Sequence, residues 1–206
     1  MVRTLRSIAL LLGLSFGIQA HAALISYNFS GVLGDTFGSL SAGDAFSGTY
    51  SFDSSVAASG NASFAVFNNL TGVSFSSGSF SASIGPGSGL PEIQQDDVAG
   101  ADRYALLGRN PVGSAQIGGL DITAIGFRLD DTSGTAINDA TVLLTDLSLT
   151  AFTSNSLLLF FGEVTSQDFT VVSGRLTSLN QVPEPASLAL SLVALAACAL
   201  LRRTRI

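Results

Sequence analysis

Through most of this 206-residue chain, apolar and small polar residues alternate one for one. Ile25, Tyr27 and Phe29 are interleaved with Ser26, Asn28 and Ser30, and Phe46, Gly48, Tyr50 and Phe52 with Ser47, Thr49 and Ser51. The period returns at Val73 and Phe75, at Phe80, Ala82 and Ile84, at Tyr104 and Leu106, and at Ile125, Phe127 and Leu129. Leu143 to Ala151, Ser156 to Phe161 and Phe169 to Leu179 complete the set. A side-chain period of two belongs to strands with one face buried. Helical periodicity is confined to the two chain ends. About nine short strands in one domain predict an all-β fold, a single antiparallel β-sandwich or jelly roll, with a barrel as the alternative. The aromatics on the alternating positions are its expected core. The stretches 85–102 and 130–139, rich in Gly, Pro and Asp, are expected loops.

The ends follow different rules. Arg3 and Arg6 precede an apolar run from Ser7 to Ile18, and Ala20-His21-Ala22 places small residues where a signal peptidase inspects the chain. Residues 1–22 therefore read as a signal helix cleaved after Ala22. At the other end Val182-Pro183-Glu184-Pro185 leads into an uncharged run, Ala186 to Leu201, closed by Arg202, Arg203 and Arg205. As a helix that run rises about 24 Å, which spans a bilayer with some thinning and arginine snorkelling. The arginines form the membrane stop and stay cytoplasmic, so the domain at 23–182 is expected outside the inner membrane. The prolines keep the junction extended, in a form a membrane-embedded protease can reach.

The combination of Pro183-Glu184-Pro185, apolar run, arginine cluster and chain end resembles the PEP-CTERM sorting signal, at 183–206. The same tail is also labelled an ice-binding protein C-terminal domain, a description of the tail alone. The resemblance implies a Gram-negative bacterium that makes exopolysaccharide. It also implies transient anchoring in the inner membrane, processing near Pro183-Glu184-Pro185 by exosortase, and delivery to the cell surface or medium. The catalytic residues of that step belong to exosortase, and this chain is its substrate. The stretches Gly48 to Asp53 and Val172 to Leu179 are similar to strands of other exported proteins with this tail, and imply no activity.

With both ends set aside, four arginines face fourteen acids, a net charge of −10 with no lysine. No basic footprint for nucleic acid exists. The single cysteine, Cys198, lies in the apolar tail, and the single histidine, His21, in the leader. The domain at 23–182 thus has no His, Cys or Lys. Ser-His-Asp triads, Cys-His pairs, Ser-Lys dyads, disulfides and Cys/His zinc sites are excluded within it.

Carboxylate chemistry remains. Glycoside hydrolysis needs two acids about 5 to 10 Å apart, and Asp96, Asp97, Asp102, Asp130, Asp131 and Glu163 are the candidates. There is no Trp to stack on a sugar ring. A plain hairpin is the expected reading of 130–139; the alternative is a weak Ca2+ site from Asp130, Asp131, Asn138 and Asp139, without EF-hand spacing. The expectation is a non-enzymatic surface or matrix-associated protein, structural or adhesive, with signal peptidase and exosortase as partners and no cofactor. A lectin-like module for exopolysaccharide is the first alternative, a carboxylate-based hydrolase the second. Mass spectrometry of the exported protein is expected to find Ala23 at its N-terminus, and Ala22→Asp to leave the leader attached. A mature protein that retains Met1 contradicts this reading.

Overall fold

A computed structural model describes residues 24–85, 92–98, 100–113, 116–163 and 169–183. The signal segment and the tail beyond Pro183 lie outside the described residues. Twelve strands form the fold: β1 (Leu24–Leu33), β2 (Ala45–Asp53), β3 (Ser59–Asn61), β4 (Phe64–Phe67), β5 (Leu70–Ser77), β6 (Phe80–Ile84), β7 (Glu92–Val98), β8 (Ala101–Arg109), β9 (Val112–Gly113), β10 (Ile122–Asp131), β11 (Ser154–Phe161) and β12 (Thr170–Val182). The only helical element among the described residues is a 3-10 turn at Leu149–Ala151. No described helix is long and apolar enough to cross a membrane. The described part of the chain is all-β and antiparallel. All twelve strands belong to one ladder, in the order β3-β4-β7-β8-β10-β11-β12-β1-β2-β5-β6-β9.

That single sheet curls until its two flanks meet. β8 pairs with β10, whereas β9, only two residues further along the chain, pairs with β6 at the far end of the order. The switch is made at Asn110, whose φ of +53° lies in the left-handed region that Asn tolerates better than most residues. Pro111 follows it. One run of chain thus ties both flanks together, and no boundary between two separate sheets is found.

The alternation seen in the sequence decides which residues enter the enclosed space. β1 buries Tyr27, Phe29 and Leu33; β2 buries Phe46, Tyr50 and Phe52. Phe127 of β10 reaches across to them. Its ring lies 6.0 Å from that of Phe29, 5.2 Å from Tyr50 and 6.3 Å from Tyr104 on β8. Phe161 of β11 likewise meets Phe80 of β6 at 5.9 Å. Gly31 sits at the β-bulge between Ser30 and Gly31, where a Cβ would strike the Arg175 carbonyl of β12 and the Phe46 ring.

The ends of the curl are closed differently. At one, the short turns at Phe37–Leu40 and Ile117–Leu120 pack on each other, with Phe37 against Phe161 at 5.1 Å. At the other, residues 132–153 form a strap that inserts Ile137, Ala140, Leu147 and Phe152 into the interior. Two expectations are corrected here. Leu143 to Ala151 is not a strand but part of this strap, because its backbone groups bond to side chains rather than to a ladder. The stretch 85–102 is not one loop: Glu92–Val98 and Ala101–Arg109 form a paired hairpin that places Asp96, Asp97 and Asp102 in strands.

Phe127→Ala is expected to cost about 3–5 kcal/mol in urea unfolding, because the ring is the shared neighbour of both flanks. Phe127→Leu should cost less. A loss below about 1 kcal/mol for the alanine variant contradicts a core organised on this ring.

Candidate binding face

The strap is held by side chains that rise from inward positions of the sheet. Gln95 of β7 is fully buried; its amide donates to the carbonyls of Ala140 and Val142, both at 3.0 Å, and its carbonyl accepts from Leu144 N at 2.8 Å. The Tyr27 hydroxyl donates to Thr145 O at 2.6 Å and accepts from Leu147 N at 2.9 Å. Asp102 accepts from Ile137 N at 2.8 Å. An irregular buried segment cannot leave its amides and carbonyls bare, so these three residues replace the missing ladder. The sequence places Gln95 two residues after Ile93, in the inward register, which is the signal for a buried polar partner.

The candidate carboxylates are engaged one by one. Asp130 accepts from Arg103 Nε at 2.9 Å and from Arg128 Nε at 2.6 Å, while Asp96 lies 3.5 Å from Arg103. Asp96, Arg103 and Asp130 are cross-strand neighbours, which makes a short charge ladder on the outside of β7, β8 and β10. Burial raises the Asp96 pKa, against the pull of Arg103. Asp131 accepts from the amides of Ser133, Thr135 and Ala136 and from the Ser133 hydroxyl. The Thr135 amide, then the Ser133 hydroxyl and amide, hold its carboxyl far below the usual range. Asp139 accepts from the hydroxyl and amide of Thr141, which lower its pKa. Asn138 is exposed, and Glu163 lies exposed beyond β11. Among the described residues no group of three or more His, Cys, Asp or Glu is placed to hold a metal ion. Of the sorting residues, Pro183 is exposed at the end of β12. Glu184, Pro185, Arg202, Arg203, Arg205, Ala20 and Ala22 lie outside the described residues.

The feature that the sequence does not announce is on the opposite side of the core strands. One cross-strand row runs Asn180, Asn28, Thr49, Ser74, Ser83 over β12, β1, β2, β5 and β6. The next runs Ser178, Ser30, Ser47, Ser76, Ser81 over the same strands. None of the ten is buried and none is charged. A shallow groove of about 460 Å³ crosses the rows between β12 and β5. Its hydroxyls are paired across strands, Thr49 with Ser74 at 2.8 Å and Ser47 with Ser76 at 3.2 Å. Asn180 Nδ2 donates to the Ser178 hydroxyl at 2.6 Å. The Ser74 hydroxyl also accepts from the Thr49 amide at 3.1 Å and the Ser76 hydroxyl donates to the Ser47 carbonyl at 3.4 Å, so the Thr49–Ser74 pair is the one that retains a proton for a ligand.

Two pins can be separated from passive packing. Tyr27→Phe is expected to destabilise by about 1–3 kcal/mol and to speed hydrogen exchange at Leu147, since it strands a buried amide. Tyr104→Phe should cost less, because the buried Tyr104 hydroxyl holds no backbone group of the strap and burial pushes its pKa up. Equal losses for both variants contradict the assignment. The depressed Asp131 pKa also sets a pH direction. Its contribution is present above the ordinary carboxylate pKa of about 4 and is lost as pH falls below it towards the folded value. Acid should therefore lower the protection of the Thr135 and Ala136 amides relative to their intrinsic exchange at each pH, and Asp131→Asn should flatten that dependence; an unchanged profile in the variant contradicts it.

No family model, no curated protein and no solved structure matches this chain.

Proposed function

We propose that the chain is an exported surface or matrix-associated protein with a structural or adhesive role, sorted through its PEP-CTERM-like tail and processed by exosortase. One observation supports this reading most: the two ends of the described strands lie side by side, next to the two proposed junctions. The first strand begins at Leu24, just after Ala22, and the last ends at Val182, just before Pro183-Glu184-Pro185. Ser26 of β1 pairs with Val182 of β12, so both junctions emerge beside each other on neighbouring strands. Cleavage at either junction leaves every strand intact. In this reading the curled sheet is a sandwich-like domain, with a signal helix before it and a transmembrane helix after it, transiently held at the inner membrane. The domain acts by presence and contact rather than by catalysis.

A second reading, a carbohydrate-binding module of the exopolysaccharide matrix, is favoured by the uncharged hydroxyl face. Mass spectrometry of the protein from cells with and without exosortase tests the first. The account expects a C-terminus near Pro183-Glu184-Pro185 in the parent, and an intact tail retained in the membrane fraction without the enzyme. Identical C-termini in both strains contradict it.

A further inference from the structure

We propose that the outer face of β12, β1, β2, β5 and β6 is a docking site for an uncharged polysaccharide, laid across the strands along the two hydroxyl rows. The inference rests on the exported-protein reading only for which polysaccharide the cell supplies; the binding chemistry stands on the face itself.

Charge selects the class of ligand. The domain carries −10, yet no ionisable group falls among the ten row residues. An anionic polymer would find no cation in the rows, only Arg175 beside them at the exposed position of β12 opposite Val32, and a repelling field around it. A polycation would find no carboxylate in the rows. An apolar partner would meet hydroxyls and amides that it must desolvate without replacing their hydrogen bonds. A neutral polyhydroxyl chain matches on each count, because its hydroxyls donate and accept as those of Ser and Thr do.

Periodicity selects a polymer over a single small molecule. The rows repeat at the strand spacing of about 4.8 Å, so a ligand with a regular repeat meets equivalent groups strand after strand. Cross-strand pairing of Thr49 with Ser74 and of Ser47 with Ser76 fixes these side chains before a ligand arrives, which lowers the ordering cost of binding. The row residues include no aromatic ring, so each sugar unit is held weakly and length supplies the affinity. The groove between β12 and β5 gives the chain its track.

The test uses the protein exported and processed by its own cells, with cellulose and curdlan as neutral probes and alginate as the anionic one. The parent should be retained on at least one neutral probe and not on alginate. Thr49→Glu and Ser76→Glu should each weaken retention by about tenfold or more, since a carboxylate at the contact replaces a matched hydroxyl and must be desolvated there. Thr49→Ser should keep it, as should Val142→Glu on the exposed strap. Unfolding curves of each variant separate lost binding from lost fold. Retention on neither neutral probe, retention on alginate instead, or equal retention by the Glu variants overturns the proposal. So does thermal hysteresis in freezing water without glycan retention, which would assign the rows to ice. If retention fails while the protein still fractionates with the cell surface, the docking face is wrong and the exported-protein reading survives.

Discussion

Phe127 holds the two flanks of one sheet together. A sheet without disulfides has only packing and its own ladder to keep it curled, and the ladder alone constrains neighbours, not opposite flanks. The ring contacts from β10 to Phe29 and Tyr50 supply the missing cross-link. Phe161 repeats it further along, against Phe80. Aromatic pairs of this kind contribute about 0.5–1.5 kcal/mol each beyond the area they bury. The β8–β9 run then makes the closure covalent, because the strand that pairs with β10 continues within two residues into the strand that pairs with β6.

Committing the aromatics inward has a consequence outside. With Tyr27, Phe29, Tyr50 and Phe75 taken into the core, the pleat turns Asn28, Ser30, Thr49 and Ser74 to solvent. The same period that makes the core makes the hydroxyl face, and the register of five adjacent strands aligns it into rows. Charged residues stay out of the rows: some form the Asp96-Arg103-Asp130 ladder, others close the Asp131 and Asp139 turns of the strap, and Arg175 lies beside the rows on β12. Polar groups therefore do three separate jobs in this fold: buried ones pin the strap, charged ones close turns or pair across strands, and neutral ones form the exposed rows.

Much of this was legible in the sequence, up to a physical limit. Alternation at Ile25-Tyr27-Phe29 and Phe46-Tyr50-Phe52 gives strand type and core membership, because both depend on local spacing. It misleads over Leu143 to Ala151, where apolar spacing resembles a strand but the backbone partners of Leu144, Thr145 and Leu147 are Gln95 and Tyr27, far away in the chain. Glu92 to Val98 was hidden for the converse reason: its inward residues are Ile93 and a buried glutamine, so the hydrophobic period is broken while the strand is not. The hydroxyl rows needed strand order and register, which no local pattern carries. Asp130 and Asp131 were visible as an acidic pair, but adjacent residues on a strand point to opposite faces, so one meets arginines and the other meets the amides of its own turn.

The central claim is that the face of β12, β1, β2, β5 and β6 is where this protein meets its surroundings. Hydrogen exchange of the protein, with and without a neutral polysaccharide such as cellulose or curdlan, addresses that claim most directly. The account predicts added protection confined to segments 26–30, 47–51, 74–83 and 178–181, with the strap at 132–153 unchanged. Protection centred on the strap or on the Asp96-Arg103-Asp130 ladder, or none anywhere, would contradict it.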